Sequence, residues 1–114
     1  MHEGALLRSL FDVAIVSCRE ANLTQVHKVK LVIGKLHHVV FEVMQMYFAA
    51  MRSEYAGFQG AVLEIEEYDP VIKCNECGKK ITLKEPVFIC PECSSPHTEC
   101  IRGKEMYIDS LEGE

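Results

Sequence analysis

No stretch of this sequence approaches the ~20 consecutive apolar residues that a membrane-spanning helix needs, and no basic segment precedes its first hydrophobic run, which Arg8, Ser9 and Asp12 interrupt. A secretory signal is therefore not expected; the mature protein should begin at or near Met1 and reside in the reducing cytoplasm. Basic residues are also scarce. Twelve Lys and Arg stand against 17 Asp and Glu, a net charge of −5, whereas a nucleic-acid partner demands a concentrated cationic face. No nucleophile, glycine-rich phosphate loop or Ser-His-Asp order accompanies the acidic group Glu64, Glu66 and Glu67. Glu64 and Glu66 look like paired carboxylates, but alternation puts them together on a solvent face. Neither an internal repeat nor a low-complexity segment occurs beyond the acidic end Glu112-Gly113-Glu114.

What the 114 residues do contain is a cysteine quartet, Cys74, Cys77, Cys90 and Cys93, at C-x2-C-x12-C-x2-C spacing. Two C-x2-C turns, with Gly78 and Pro91 as turn-compatible neighbours, can aim four thiolates at one tetrahedral ion, and Zn²⁺ suits that donor set. A pair of disulfides, a redox dithiol or unpartnered thiols are the competing readings. Four thiolates leave no coordination position for water or substrate, which argues against a zinc enzyme. His97 follows Cys93 by four positions and is an accessory metal candidate, as a replacement ligand or beside the zinc. Cys18 falls in an apolar arc and reads as a buried thiol; Cys100 is expected to pack near the last strand.

Around the quartet the periodicities alternate. Residues 5–21 form an amphipathic helix with Leu6, Leu7, Leu10, Phe11, Val13, Ala14, Cys18 and Ala21 on one arc, closed by Asn22. Residues 26–36 alternate as a strand, Val29, Leu31 and Ile33 on one face, with Gly34 marking a bulge or a close approach. His37 and His38 connect to a second helix, 39–56; they too are accessory metal candidates, beside the plainer reading of solvated loop residues. Met44, Met46 and Met51 read as core-filling residues on that helix. Residues 61–68 alternate again, which makes strand–helix–strand a βαβ unit with parallel strands. Asp69-Pro70 opens a linker, and 105–111 is a last strand returning to the first sheet. The expected fold is α+β: two helices packed on a small mixed sheet, a βαβ unit plus the returning C-terminal strand, with an inserted zinc-ribbon-like module.

The start, Met1-His2-Glu3, carries a second pattern. A bulky residue at position 2 hinders removal of the initiator Met, leaving the α-amine one residue from an imidazole. The amine, the His2 backbone nitrogen and the His2 Nδ1 can close two fused chelate rings in one plane. That tetragonal nitrogen set suits Ni²⁺ or Cu²⁺ better than Zn²⁺. Glu3 could add its backbone nitrogen or its carboxylate.

These features together resemble the HypA/HybF family of nickel metallochaperones. The resemblance rests on Met1-His2-Glu3, Leu7 with Ser9-Leu10, Ile33-Gly34-Lys35-Leu36, Glu42 and Phe48, Leu63-Glu64-Ile65-Glu66, the four cysteines, and Gly103-Lys104-Glu105-Met106. It implies a nickel-binding α/β domain of residues 1–69 and 104–114 and an inserted zinc-binding domain of residues 70–103. It also implies that nickel is held at the N-terminus by Met1, His2 and Glu3, with the His2 imidazole indispensable and the backbone nitrogens of His2 and Glu3 contributing. Structural Zn²⁺ would be held by Cys74, Cys77, Cys90 and Cys93. The implied role is non-enzymatic: Ni²⁺ is relayed with the nickel GTPase HypB to the large subunit of [NiFe]-hydrogenase, and in some bacteria to urease maturation. In places the chain departs from the family pattern, with His37-His38 and Phe41 where a small polar residue, Gly and Pro are common. The alternative function is a zinc-ribbon interaction adaptor with no nickel role.

Overall fold

The structure is a computed structural model that describes residues 3–85 and 87–114. Two compact units divide it: residues 1–32, 39–66 and 107–114 form the first, and residues 33–38 and 67–106 form the second.

The first unit begins with helix α1 (Glu3–Ala21). Its buried residues, Leu7, Leu10, Phe11, Ala14 and Cys18, recur at helical spacing as the apolar arc requires. Val13, assigned to that arc, is instead 56% exposed; it lies at the arc's edge, where a 100° step turns the side chain to solvent. Asn22 closes the helix in the left-handed conformation (φ 58°), and the Leu23 N–H donates to Cys18 O at 2.9 Å.

Strand β1 (Val26–Gly34) lies at the centre of a three-stranded sheet, between β2 (Val62–Tyr68) and β6 (Met106–Gly113). The ion pairs across its exposed face give the strand directions. Lys28 meets Glu64 at 2.7 Å and Lys30 meets Glu66 at 3.9 Å, so β1 and β2 advance together and are parallel, as the βαβ crossover requires. Toward β6 the order reverses: Lys28 pairs with Glu112 and Lys30 with Asp109. The sheet is therefore mixed, and the last strand returns to it. On the other face Val29 and Leu31 are fully buried.

Helix α2 (Phe41–Met51) is shorter than the periodicity of 39–56 suggested. Val40 takes an extended conformation before it, and Arg52–Glu54 tighten into a 3₁₀ turn after it. Arg52 is held there, its Nη1 donating to Ala61 O at 2.6 Å. Met44 and Met51 are buried, but Met46 is 63% exposed, so only two of the three methionines fill core. Phe11 unites the helices: its ring stacks on Phe48 (5.2 Å) and Tyr55 (4.3 Å) and meets Phe58 edge-on at 5.5 Å.

The second unit carries its own antiparallel sheet in which β3 (Val71–Cys74) runs between β4 (Lys80–Thr82) and β5 (Thr98–Arg102). Ile72 faces Ile81 on one side and Cys100 on the other, which places Cys100 on β5. Residues 33–38 are pinned within this unit. The Gly34 N–H donates to Glu105 O (2.9 Å), the Leu36 N–H to Gly103 O (3.1 Å), and Lys35 pairs with Asp69 at 2.5 Å. The Arg102 guanidinium lies 4.1 Å over the Tyr68 ring.

Candidate metal centre

Two turns of the same design build the site. In the first, the Cys74 N–H donates to Lys79 O and the Gly78 N–H to Cys74 O, at 3.0 and 2.9 Å. In the second, Cys90 and Ser94 take the same parts: the Cys90 N–H donates to Ser95 O at 3.0 Å and the Ser94 N–H to Cys90 O at 2.8 Å. Each turn needs a left-handed residue just after its second cysteine. Gly78 meets that need with φ 76°, Ser94 with φ 62°.

Only glycine adopts that conformation without steric cost. Replacing Ser94 by glycine is therefore expected to stabilise the second turn by about 1 kcal/mol, a rise of several degrees in Tm of the zinc-loaded protein. Gly78→Ala should lower Tm comparably, since a Cβ at Gly78 meets nothing within 4 Å and the cost is conformational alone. Differential scanning calorimetry of the two variants checks both signs.

The turns bring together all four predicted cysteines, with sulfurs within 4.8 Å of one another. Cys74 and Cys93 are 3.5 Å apart, Cys77 and Cys90 3.7 Å. Those separations are far longer than the ~2.05 Å of a disulfide and match the ~3.8 Å edge of a tetrahedron with Zn–S bonds of ~2.3 Å. Cys74 and Cys90 are buried, while Cys77 and Cys93 reach solvent. Charge is unevenly shared among the metal-free thiols. The Cys77 N–H aimed at Cys74 Sγ holds that thiol down at about 6. At Cys93 the Ser95 N–H pulls downward, but the neighbouring Cys74, Cys90 and Cys77 sulfurs together with burial outweigh it and push the thiol up to about 12. A divalent cation is what lets all four ionise together, so metal loading releases protons.

The histidine candidates stand apart from this group. His97 Nε2 lies 3.8 Å from Glu76 Oε1, and its backbone carbonyl accepts the Asn75 N–H at 2.9 Å. His37 Nε2–H donates to Lys104 O at 2.6 Å. His38 is exposed, with φ 53°, at the end of a 3₁₀ turn. Among the described residues, the four cysteines are the one group of three or more potential metal ligands.

Of the three N-terminal candidates, Met1 and His2 lie outside the described residues. Glu3 opens α1 and is 3% exposed, and its carboxylate Oε2 accepts the Val40 N–H at 3.1 Å. That contact joins residues 37 positions apart, and nothing in the local pattern of either segment announces it.

Among solved structures, the fold resembles the solution structure of the nickel metallochaperone HypA from Helicobacter pylori, with a TM-score of 0.76, 22% identity, and 99% of this chain and 97% of that one covered. Curated relatives named hydrogenase maturation factor HypA are 38% identical over 114 residues in Moorella thermoacetica, spanning all of both chains. The relative from Aquifex aeolicus is 34% identical over 98% of this chain and 96% of its own. Residues 1–113 align with the family described as HypA, the hydrogenase/urease nickel incorporation metallochaperone, a carrier family and not an enzyme family, and the chain belongs to that family.

Proposed function

We propose that the protein carries Ni²⁺ on its N-terminal residues and hands it on during [NiFe]-hydrogenase maturation, or urease maturation where that enzyme is the client. The observation that carries this reading is the end-to-end match to the family, 38% identity over the full length of both chains. The α-amine of Met1, the backbone nitrogen and Nδ1 of His2, and the backbone nitrogen of Glu3 make the nickel site. A set made mostly of backbone and terminal nitrogens can be exchanged one ligand at a time, which suits a carrier that must release its cargo. Residues 1–69 with 104–114 form the nickel-binding domain. Residues 70–103 form the zinc domain, where Cys74, Cys77, Cys90 and Cys93 hold a structural Zn²⁺. The receiving partners are a nickel GTPase of the HypB kind and the hydrogenase large subunit.

Titration of the zinc-loaded protein with Ni²⁺, followed by calorimetry and absorption, tests the carrier reading. Wild type should bind one Ni²⁺ per chain. His2→Ala, and a variant with one residue added before Met1, should each lose about 100-fold or more in affinity, since even outer partners of a metal contribute 10- to 100-fold. The extended variant keeps every side chain and displaces only the amine. Unchanged affinity in both variants would leave the zinc-ribbon adaptor as the better account.

A further inference from the structure

We propose that the Glu3 carboxylate is a positioning group that ties the first turn of α1 to the start of α2, and that it is not a ligand of the transported ion. The inference rests on the N-terminal nickel reading above and assigns its third residue two separate jobs, the nitrogen for the metal and the carboxylate for the protein.

The start of α2 lacks the usual means of capping itself. Its N-cap is Val40, whose side chain offers no acceptor, and no side-chain bond caps the helix there. In a capping box, a Glu or Gln three residues into the helix reaches back to the N-cap backbone N–H. That position here is Val43. The Val40 N–H is instead taken by Glu3 Oε2, 3.1 Å away, on a different helix. Glu3 therefore supplies in trans the half of the capping box that α2 does not encode. Its burial matches this role: a carboxylate left 3% exposed is costly unless bonded, and the Val40 N–H is one of the groups that bond it. A negative group at a helix start also meets the favourable end of the helix dipole.

The neighbouring residue seats the same turn a second time. A Cβ at Gly4 would lie 3.5 Å from Cε1 of Tyr47, so the backbone of α1 rests against the Tyr47 ring. With residue 3 fixed in place, less of the metal-binding segment has to be ordered when nickel binds. Reduced ordering cost is the general source of affinity from preorganisation. Loss of the tie should weaken nickel binding by roughly 10-fold, the lower end of outer-partner effects.

Four variants separate a tie from a ligand: Glu3→Gln, which keeps an oxygen acceptor; Glu3→Ala; Val40→Pro, which removes the donor N–H and leaves Glu3 whole; and the Glu3→Ala/Val40→Pro double. Two readouts are taken. In nickel-free protein, hydrogen exchange of the Met44 amide, bonded at 3.0 Å to Val40 O, reports fraying of the first turn of α2. It should accelerate in Glu3→Ala and Val40→Pro and stay near wild type in Glu3→Gln. In the nickel titration, Glu3→Ala and Val40→Pro should each weaken affinity about 10-fold, the double no more than either single, with Glu3→Gln close to wild type.

Wild-type nickel affinity in Val40→Pro, or Glu3→Gln as weak as Glu3→Ala, overturns the proposal, because a carboxylate acting on the ion is indifferent to the donor and sensitive to its own charge. If Val40→Pro fails to fold, the Gln and Ala pair still decides. If wild type binds no nickel, the carrier reading falls, while exchange at Met44 continues to confirm or refute the tie.

Discussion

Removing the metal from the cysteine cluster, by chelation or by Cys90→Ser, is expected to unfold the second unit while the aromatic cluster around Phe11 in the first persists. The reason is the size of what remains. Among the described residues of that unit the large, fully buried side chains are Ile33, Ile72, Cys74 and Cys90, two of which belong to the cysteine cluster, with Ser95 and Leu83 nearly so. A unit this small rarely holds together on its apolar contacts alone. A structural zinc contributes an apparent ~10–16 kcal/mol to such modules, comparable to the whole stability of a typical domain at ~5–15 kcal/mol. Amide resonances of 71–74, 80–82 and 98–102 should collapse toward random-coil positions on chelation, with those of α1 and α2 largely retained. Persistence of dispersed β-sheet signals in the chelated protein would contradict a structural role for the ion. Chelation should also become easier as pH falls, because the thiols must ionise to bind and Cys93 is held up at about 12 without metal.

Gly34→Ala is expected to be among the most damaging conservative substitutions outside the cysteines, lowering stability by about 3 kcal/mol or more. Conformational freedom is not at stake, since Gly34 has an ordinary extended backbone with φ −75°. The obstacle is a neighbour: a Cβ at Gly34 would overlap the Gly103 carbonyl. Neither side can retreat. The Gly34 and Leu36 N–H groups are bonded to Glu105 O and Gly103 O. Gly103 itself sits at φ 142°, with Pro70 Cβ and Leu36 Cδ1 about 3 Å from where its own Cβ would be. Thermal unfolding should show a Tm lower by some 10 °C or more. Gly60→Ala, at a position where a Cβ meets nothing within 4 Å, serves as the matched control and should change little.

How much of this was legible in the sequence depended on the range of the physics involved. The cysteine quartet could be read because ligand spacing is a local property of two tight turns. Alternation of Val29 and Leu31 with Lys28 and Lys30 gave the strand and its faces, and the crossover rule gave its direction relative to 62–68. Gly34 announced a close approach, though not with what. Features set by a distant partner were hidden. Met46 looks like Met44 in the sequence, and only the direction in which α2 presents its residues separates the buried one from the exposed one. Ser94 does the work of a glycine, so its left-handed backbone shows only when the two cysteine turns are superimposed in the mind. The small β3–β4–β5 sheet was unread because strands of three to five residues are too short to establish a period. The Glu3–Val40 tie has no local signal at all.

The position of β6 beside β1 also bears on how the protein is made. Chains emerge from the ribosome at roughly 5–20 residues per second, and domains tend to fold as they appear. Here β1, α2 and β2 are exposed early, but the other neighbour of β1 is drawn from the final eight-residue strand, after the whole of the metal-binding segment has been translated. Until then one edge of the central strand carries unpaired backbone groups, the kind of edge that recruits neighbouring nascent chains. Deletion of Met106–Gly113 would make that transient state permanent. Nascent-chain yield, more than any equilibrium measurement, is where a defect in Met106–Gly113 would first be felt.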